Sequence, residues 1–254
     1  MKTFNTVAFC MIFFSLSAQK HPGDTIINGI AIRFSSNTGI FPVEWQAAPI
    51  NAAASPIVQN EIKRSKQIAA VSIRKYPYAF LQKNLTEVYF LSTITFYNVE
   101  YGGTNSSEQL YLTNSGIQKG YTNHYVEQMF HHELSSILYR NFHASLDKDA
   151  WLKANIAGFD YSDPENGVGA IRNNESSQEL DTALCRKGFL TQYSLSGMEN
   201  DINTFAQNLF LQSPGFWTLV DTYPRISQKA HLLMAFYQRL HPQFTEGYFR
   251  KISQ

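Results

Sequence analysis

The spacing of apolar and polar positions changes midway along this chain, and the change separates a strand-rich first half from a helical second half. From Asp24 to Phe34, the residues Ile26, Ile27, Ile30, Ile32 and Phe34 gather around Gly29, a β-branched and aromatic cluster that predicts a strand or the start of a hairpin. Phe41 to Ala54 follows neither period and, with Pro42, Pro49 and several alanines, reads as irregular; nothing in the pattern accounts for Glu44 and Trp45 inside it. After Pro56, the apolar Ile57, Ile62, Ile68 and Val71 fall opposite Lys63, Arg64 and Lys66, which predicts a surface helix ending before Pro77. Glu87 to Glu100 encloses VYFLSTITFYNV, apolar on both faces, and predicts one long strand inside a sheet. Gly102 to Asn105 predicts a turn, and Gln109 to Thr113 a short strand that pairs back against the long one.

From Thr122 onward the spacing is that of a helix. Val126, Phe130, Leu134, Ile137 and Leu138 share one stripe, and Thr122 stands where an N-cap belongs. Further helices are expected over Asn203 to Leu211, Gly215 to Tyr223 and Gln228 to Leu240, punctuated by Pro214, Pro224 and Pro242. The order of sheet, long helix and helical lobe is that of an α+β fold with an N-terminal mixed sheet.

Met1, Lys2 and Thr3 precede an apolar run from Phe4 to Leu16 that ends in the small residues Ser15, Ser17 and Ala18. That is the pattern of a signal peptide over residues 1–18, and it predicts a secreted or periplasmic product with one domain over 19–254. Cys10 lies inside the apolar run rather than at its end, which argues against a lipid anchor. Removing the leader leaves Cys185 as the single cysteine, so no internal disulfide framework is possible. The composition, 44% apolar and 14% aromatic, is that of a chain able to bury a large core. A formal net charge of +1 without long basic runs speaks against a nucleic-acid partner. No second membrane-length apolar segment follows, so no transmembrane segment is expected after signal removal.

Chemistry concentrates in FHHELSSIL, Phe130 to Leu138, where His132 precedes Glu133 and Ser136 stands four residues after the histidine. Histidines at i and i+4 on a helix share a face and can bind Zn²⁺ while the glutamate at i+1 acts as base on the metal-bound water. Only the first half of that motif is present. His131 points about 100° away from His132, and His124 and His143 lie two turns before and three turns after it.

FHHELSSIL and the later GFLTQYSLSGMENDINTFAQNLF, Gly188 to Phe210, together resemble the zinc-binding metallopeptidases of Bacteroidota, whose site is similar to that of the lethal-factor-like peptidases. The resemblance runs in segments from about Tyr97 to Phe249. It implies a zincin-like fold, a Zn²⁺ cofactor and a peptide or protein substrate. It also implies roles: His132 as the first metal ligand, Glu133 as the general base and Tyr193 as the tyrosine that assists the oxyanion. The family's acidic ligand falls near Glu199, Asn200 and Asp201. An ungapped comparison places Asn200 at the ligand position, flanked by the carboxylates Glu199 and Asp201 as candidate ligands; a shifted one places Asn203 there. Ser136 departs from the pattern and leaves two expectations: a peptidase that hydrolyses peptide bonds with metal-activated water, or an inactive descendant whose cleft binds peptide or polysaccharide.

Overall fold

The computed structural model describes residues 21–161 and 167–253, so the expected signal peptide lies outside the described residues. The first strands, β1 (Thr25–Ile27) and β2 (Ile30–Arg33), form an antiparallel hairpin. It turns on Asn28 and Gly29, with φ of 46° and 77°, the left-handed pair that matches the twist of its strands. After β3 (Ala53–Ser55) come the helices α1 (Ile62–Arg74) and α2 (Tyr78–Asn84). Five short strands then follow: β4 (Glu87–Leu91), β5 (Thr93–Phe96), β6 (Val99–Tyr101), β7 (Gly103–Asn105) and β8 (Gln109–Thr113). They build a five-stranded sheet in the order β1-β2-β4-β8-β7 and a three-stranded sheet β3-β5-β6. In the larger sheet β2, β4 and β8 run parallel, and each edge strand runs antiparallel to its neighbour.

Three expectations are corrected here. The single long strand breaks at Ser92, whose N–H donates to the Ser55 carbonyl while its hydroxyl meets Ser115, so β4 and β5 belong to different sheets. The chain then reverses at Tyr97 and Asn98, both with positive φ. The supposed turn at Gly102 to Asn105 is the edge strand β7, and β8 pairs with β4 in parallel rather than folding back on it. A strand buried on both faces has no polar phase to mark its end, so the apolar run could not reveal the break.

Both faces of the larger sheet are covered, by different material. Val88 and Phe90 of β4 and Leu110 and Leu112 of β8 face the main core beneath the helices. The alternate residues Tyr89, Leu91 and Tyr111 face a second core with Ile40, Phe41, Ile94 and Phe96. The irregular segment after Phe41 thus has a role: Phe41 lies 5.0 Å from the Tyr111 ring, and Trp45 meets Phe96 edge-on at 5.5 Å.

On the main face lies α3 (Asn123–Phe142), whose N-cap Thr122 accepts from the Tyr125 N–H as the sequence predicts. The helices α4 (Lys148–Lys153), α5 (Val168–Arg172) and α6 (Thr182–Cys185) are short. The last four form the helical region: α7 (Met198–Phe210), α8 (Pro214–Thr222), α9 (Pro224–Leu240) and α10 (Glu246–Ile252). Helix α7 starts five residues before the expected Asn203. Among the described residues no helix is long and apolar enough to cross a membrane.

Phe210, at the end of α7, stacks at 5.2 Å on His131 and at 4.3 Å on Tyr76, and meets Tyr237 and Phe249 edge-on. It joins α3, α9 and α10 to the end of α1. Phe210→Ala should therefore cost about 3–5 kcal/mol in chemical denaturation. Val71→Ala, at a position 39% exposed on α1, should cost less than about 0.5 kcal/mol.

Candidate functional site

The centre of α3 is buried on every side. From Val126 to Leu138 only Glu127 escapes full burial, although the stretch includes Gln128, His131, His132, Glu133, Ser135 and Ser136. A buried polar group without a partner costs about 1–3 kcal/mol, and four of these residues, His131, His132, Glu133 and Ser136, are met by polar groups from neighbouring elements. The partners define the site.

His132 points toward α7, where its Nδ1 lies 2.8 Å from Gln207 Oε1, while Gln207 Nε2 donates to Gln178 Oε1 at 3.1 Å. With the amide oxygen facing the ring, Nδ1 carries the proton and Nε2 keeps its lone pair. Burial lowers the His132 pKa to about 4 despite the Gln207 hydrogen bond, so the imidazole is neutral at pH 7. One turn on, Ser136 Oγ accepts from Asn203 Nδ2 at 2.6 Å. His131 faces the opposite way, with its Nδ1 2.8 Å from the Tyr76 hydroxyl, and takes no part in this cluster.

Glu133 lies on the sheet side. Its Oε2 accepts from Asn105 Nδ2 of β7 at 2.5 Å, and Arg140 in turn donates to Asn105 Oδ1 and pairs with Glu199 at 3.1 Å. Burial pushes the Glu133 carboxyl up to about 7; the Asn105 hydrogen bond and Arg140 pull it down, and Glu199 adds to the rise. A Cβ on Gly103 would stand 3.1 Å from the Glu133 side chain, so the absence of a side chain at Gly103 leaves room for this carboxyl. The Tyr193 ring lies 6.0 Å from that of His132. Gly167 closes over Tyr193 with φ +98°, and a Cβ there would fall 2.5 Å from the Tyr193 hydroxyl. His132, Glu133 and Tyr193 line one cleft of about 280 Å³ together with Gly102, Gly103 and Gln178.

The two acidic candidates are placed elsewhere. Glu199 is held by Arg140 and reaches Glu133 only through its field. Asp201 is fully buried away from the cleft, where its Oδ2 accepts from Lys229 Nζ at 2.6 Å, the Tyr161 hydroxyl at 2.6 Å and Trp151 Nε1 at 3.0 Å. Burial raises its pKa, and the Lys229 charge opposes that rise. Helix geometry explains the separation: Asn200, Asn203 and Gln207 share a stripe, and Asp201 sits about 160° around the helix from Asn203. What faces Ser136 is therefore the Asn203 amide rather than a carboxylate.

This donor set does not fit Zn²⁺. A zinc centre takes three protein donors from imidazole, thiolate or carboxylate groups. Here one imidazole is followed by a hydroxyl and an amide that already bond to each other, and the nearest carboxylate is tied to Asn105. Among the described residues no group of three or more histidine, cysteine, aspartate or glutamate side chains is arranged to hold a metal ion. Asn105, Gln178 and Gln207 were missed by sequence reasoning. The signal for Gln207 was the polar stripe Asn200, Asn203 and Gln207 at helical spacing in an otherwise apolar helix, whereas Asn105 carried none. Neither a family model nor a curated protein nor a solved structure matches this chain.

The raised carboxyl has a consequence for stability. Between pH 4.5 and about 7 the folded chain keeps a proton on Glu133 that the unfolded chain releases, so stability falls as pH rises through this window. The loss amounts to roughly 3 kcal/mol. Glu133→Gln removes it. The melting temperature of the variant minus that of the native protein should climb from pH 4.5 to pH 7 and then level off. A flat difference would show that Glu133 titrates normally.

Proposed function

We propose that this protein is an exported, zincin-like relative of the metallopeptidases whose cleft binds an extended peptide without a catalytic zinc. The observation that carries the reading is the Ser136–Asn203 hydrogen bond, which joins two neutral side chains, one at the second-ligand position of the resemblance and the other at the third-ligand position of its shifted comparison. Among the described residues the edge of β7 beside the cleft pairs with no further strand, which supports a peptide as the ligand. Gly102 and Ser106 are hydrogen-bonded to β8, through Thr113 N–H to Gly102 O and Ser106 N–H to Gln109 O. In an antiparallel ladder the bonded residues alternate, so the N–H and C=O groups of Gly103 and Asn105 point away from the sheet. They offer main-chain partners to an added strand, while Glu133 and Tyr193 face its side chains.

A second reading, peptide hydrolysis, is favoured by the convergence of His132, Glu133 and Tyr193 on one cleft. One experiment separates the two. Dye-labelled, end-capped pentapeptides should bind the native protein in fluorescence polarisation and stay intact over hours, with or without added Zn²⁺. Gly103→Val, which places a branched side chain against Glu133, should weaken binding at least about tenfold. Cleavage that Glu133→Gln abolishes would replace the binding reading by the hydrolytic one.

Rebuilding the donors tests the ancestry implied by the resemblance. Ser136→His with Asn203→Glu adds an imidazole and a carboxylate opposite His132, and calorimetric titration should show Zn²⁺ binding at least about tenfold tighter than in the native chain. An unchanged affinity would mean that His132 does not face a metal-ready space.

A further inference from the structure

Next to the cleft is a hollow that the reading above leaves unused. It measures about 290 Å³ and is lined by Trp45, Ile50, Phe96, Tyr97, Tyr101 and Thr104, together with Val168. Among the described residues no carboxylate, lysine or arginine contributes to it, and its walls are set by edge-to-face contacts, Trp45 on Phe96 and Phe96 on Tyr101, both at 5.5 Å. Tyr101 lines the hollow and the Glu133 cleft alike, so the two are neighbours.

The pleat of β7 relates the two spaces. Gly103 and Asn105 face α3, since a Cβ on Gly103 would meet Glu133 and the Asn105 amide bonds it. Thr104, between them, faces the hollow and pairs with Tyr111 of the second core. Successive residues of a strand point to opposite faces. A strand laid along the free edge of β7 must therefore send alternate side chains into the cleft and into the hollow.

We propose that the hollow is a side-chain subsite for an aromatic residue of a bound peptide, the neighbour in sequence of the residue that faces Glu133. The inference rests on the peptide reading and adds its side-chain preference. The chemistry favours an aromatic ring. The hollow has room for one phenyl or indole group, offers ring edges and faces for T-shaped contact, and its described walls carry no charge to reward a lysine or a carboxylate. It also gives Trp45 a use on the surface: the indole is half-buried, with one side packed on the second core and the other forming the wall.

The test uses the full chain and the capped peptides Ac-Thr-Thr-Phe-Thr-Thr-NH2 and the same sequence with Ala or Lys in place of Phe. The Phe peptide should bind at least about tenfold more tightly than the Ala peptide, and the Lys peptide no better than the Ala one. Thr104→Trp, which fills the hollow, should bring the affinities for the Phe and Ala peptides within about twofold of each other. Trp45→Ala, on the opposite wall, provides the same readout if the first variant does not fold. Equal affinity for the Phe and Ala peptides, with binding still lost in Gly103→Val, would overturn the subsite and leave the peptide reading standing. Binding of no peptide by native protein would bring down that reading and the subsite with it.

Discussion

The architecture depends on one constraint: α3 is a polar helix in a fully buried place. Twelve of the thirteen positions from Val126 to Leu138 are buried, and half of those twelve carry polar side chains. Such a helix is stable only if its neighbours supply hydrogen-bond partners at the right height and angle. Tyr76 answers His131, Asn105 answers Glu133, and Gln207 and Asn203 answer His132 and Ser136 from α7. The register of α7 against α3 and the position of β7 against Glu133 follow from these pairings, since sliding either element by one residue would leave several buried groups unpaired. The cleft is the gap between the elements so placed.

The same constraint explains why the polar cluster at His132 is neutral. Bringing charges into this interior requires an opposite charge in contact or a metal ion. Asp201 meets that condition with Lys229, whose ammonium also lies 4.4 Å from the Phe189 ring centroid and donates to the Gly188 carbonyl. Glu133 meets it only in part, through Asn105 and the more distant Arg140, and its carboxyl accordingly holds its proton to near neutrality. Among the described residues the one fully buried ion pair lies in the scaffold between α7 and α9, while the cleft beside α3 is lined by the neutral His132 imidazole, the Gln178 amide, the Tyr193 hydroxyl and the carboxyls of Glu100 and Glu133.

Legibility in the sequence followed the range of the interaction. The α3 stripe and its Thr122 cap depend on residues within one or two turns and could be read directly. The hairpin turning on Asn28 and Gly29 was legible as far as a strand or the start of a hairpin around Gly29. Strand pairing was not: β7 has three small or polar residues that look like a turn, and it is a strand only because β8 supplies the ladder. Within the site, the adjacency of His132 and Glu133 was visible. Their partners were not, because Gln207 lies 75 positions from His132 and Asn105 lies 28 from Glu133. An acid in the first turn of α7 looks the same in sequence whether it caps the helix, binds a metal or pairs with a lysine. Only the side of the helix on which Asp201 falls, and the presence of Lys229 there, separate these cases.

The joint at Phe210 also bears on how the chain assembles. Lys75 at the end of α1 donates to the Phe210 carbonyl, and its own carbonyl accepts from the Tyr248 hydroxyl, 173 positions further on. Closing so long a loop adds little entropy cost beyond that of a shorter one, because the cost grows only with the logarithm of length. The delay is in time. A chain leaving the ribosome cannot seal the end of its first long helix until α10 has emerged, so the sheet must wait, with one margin of its main core uncovered, until Tyr248 has been made.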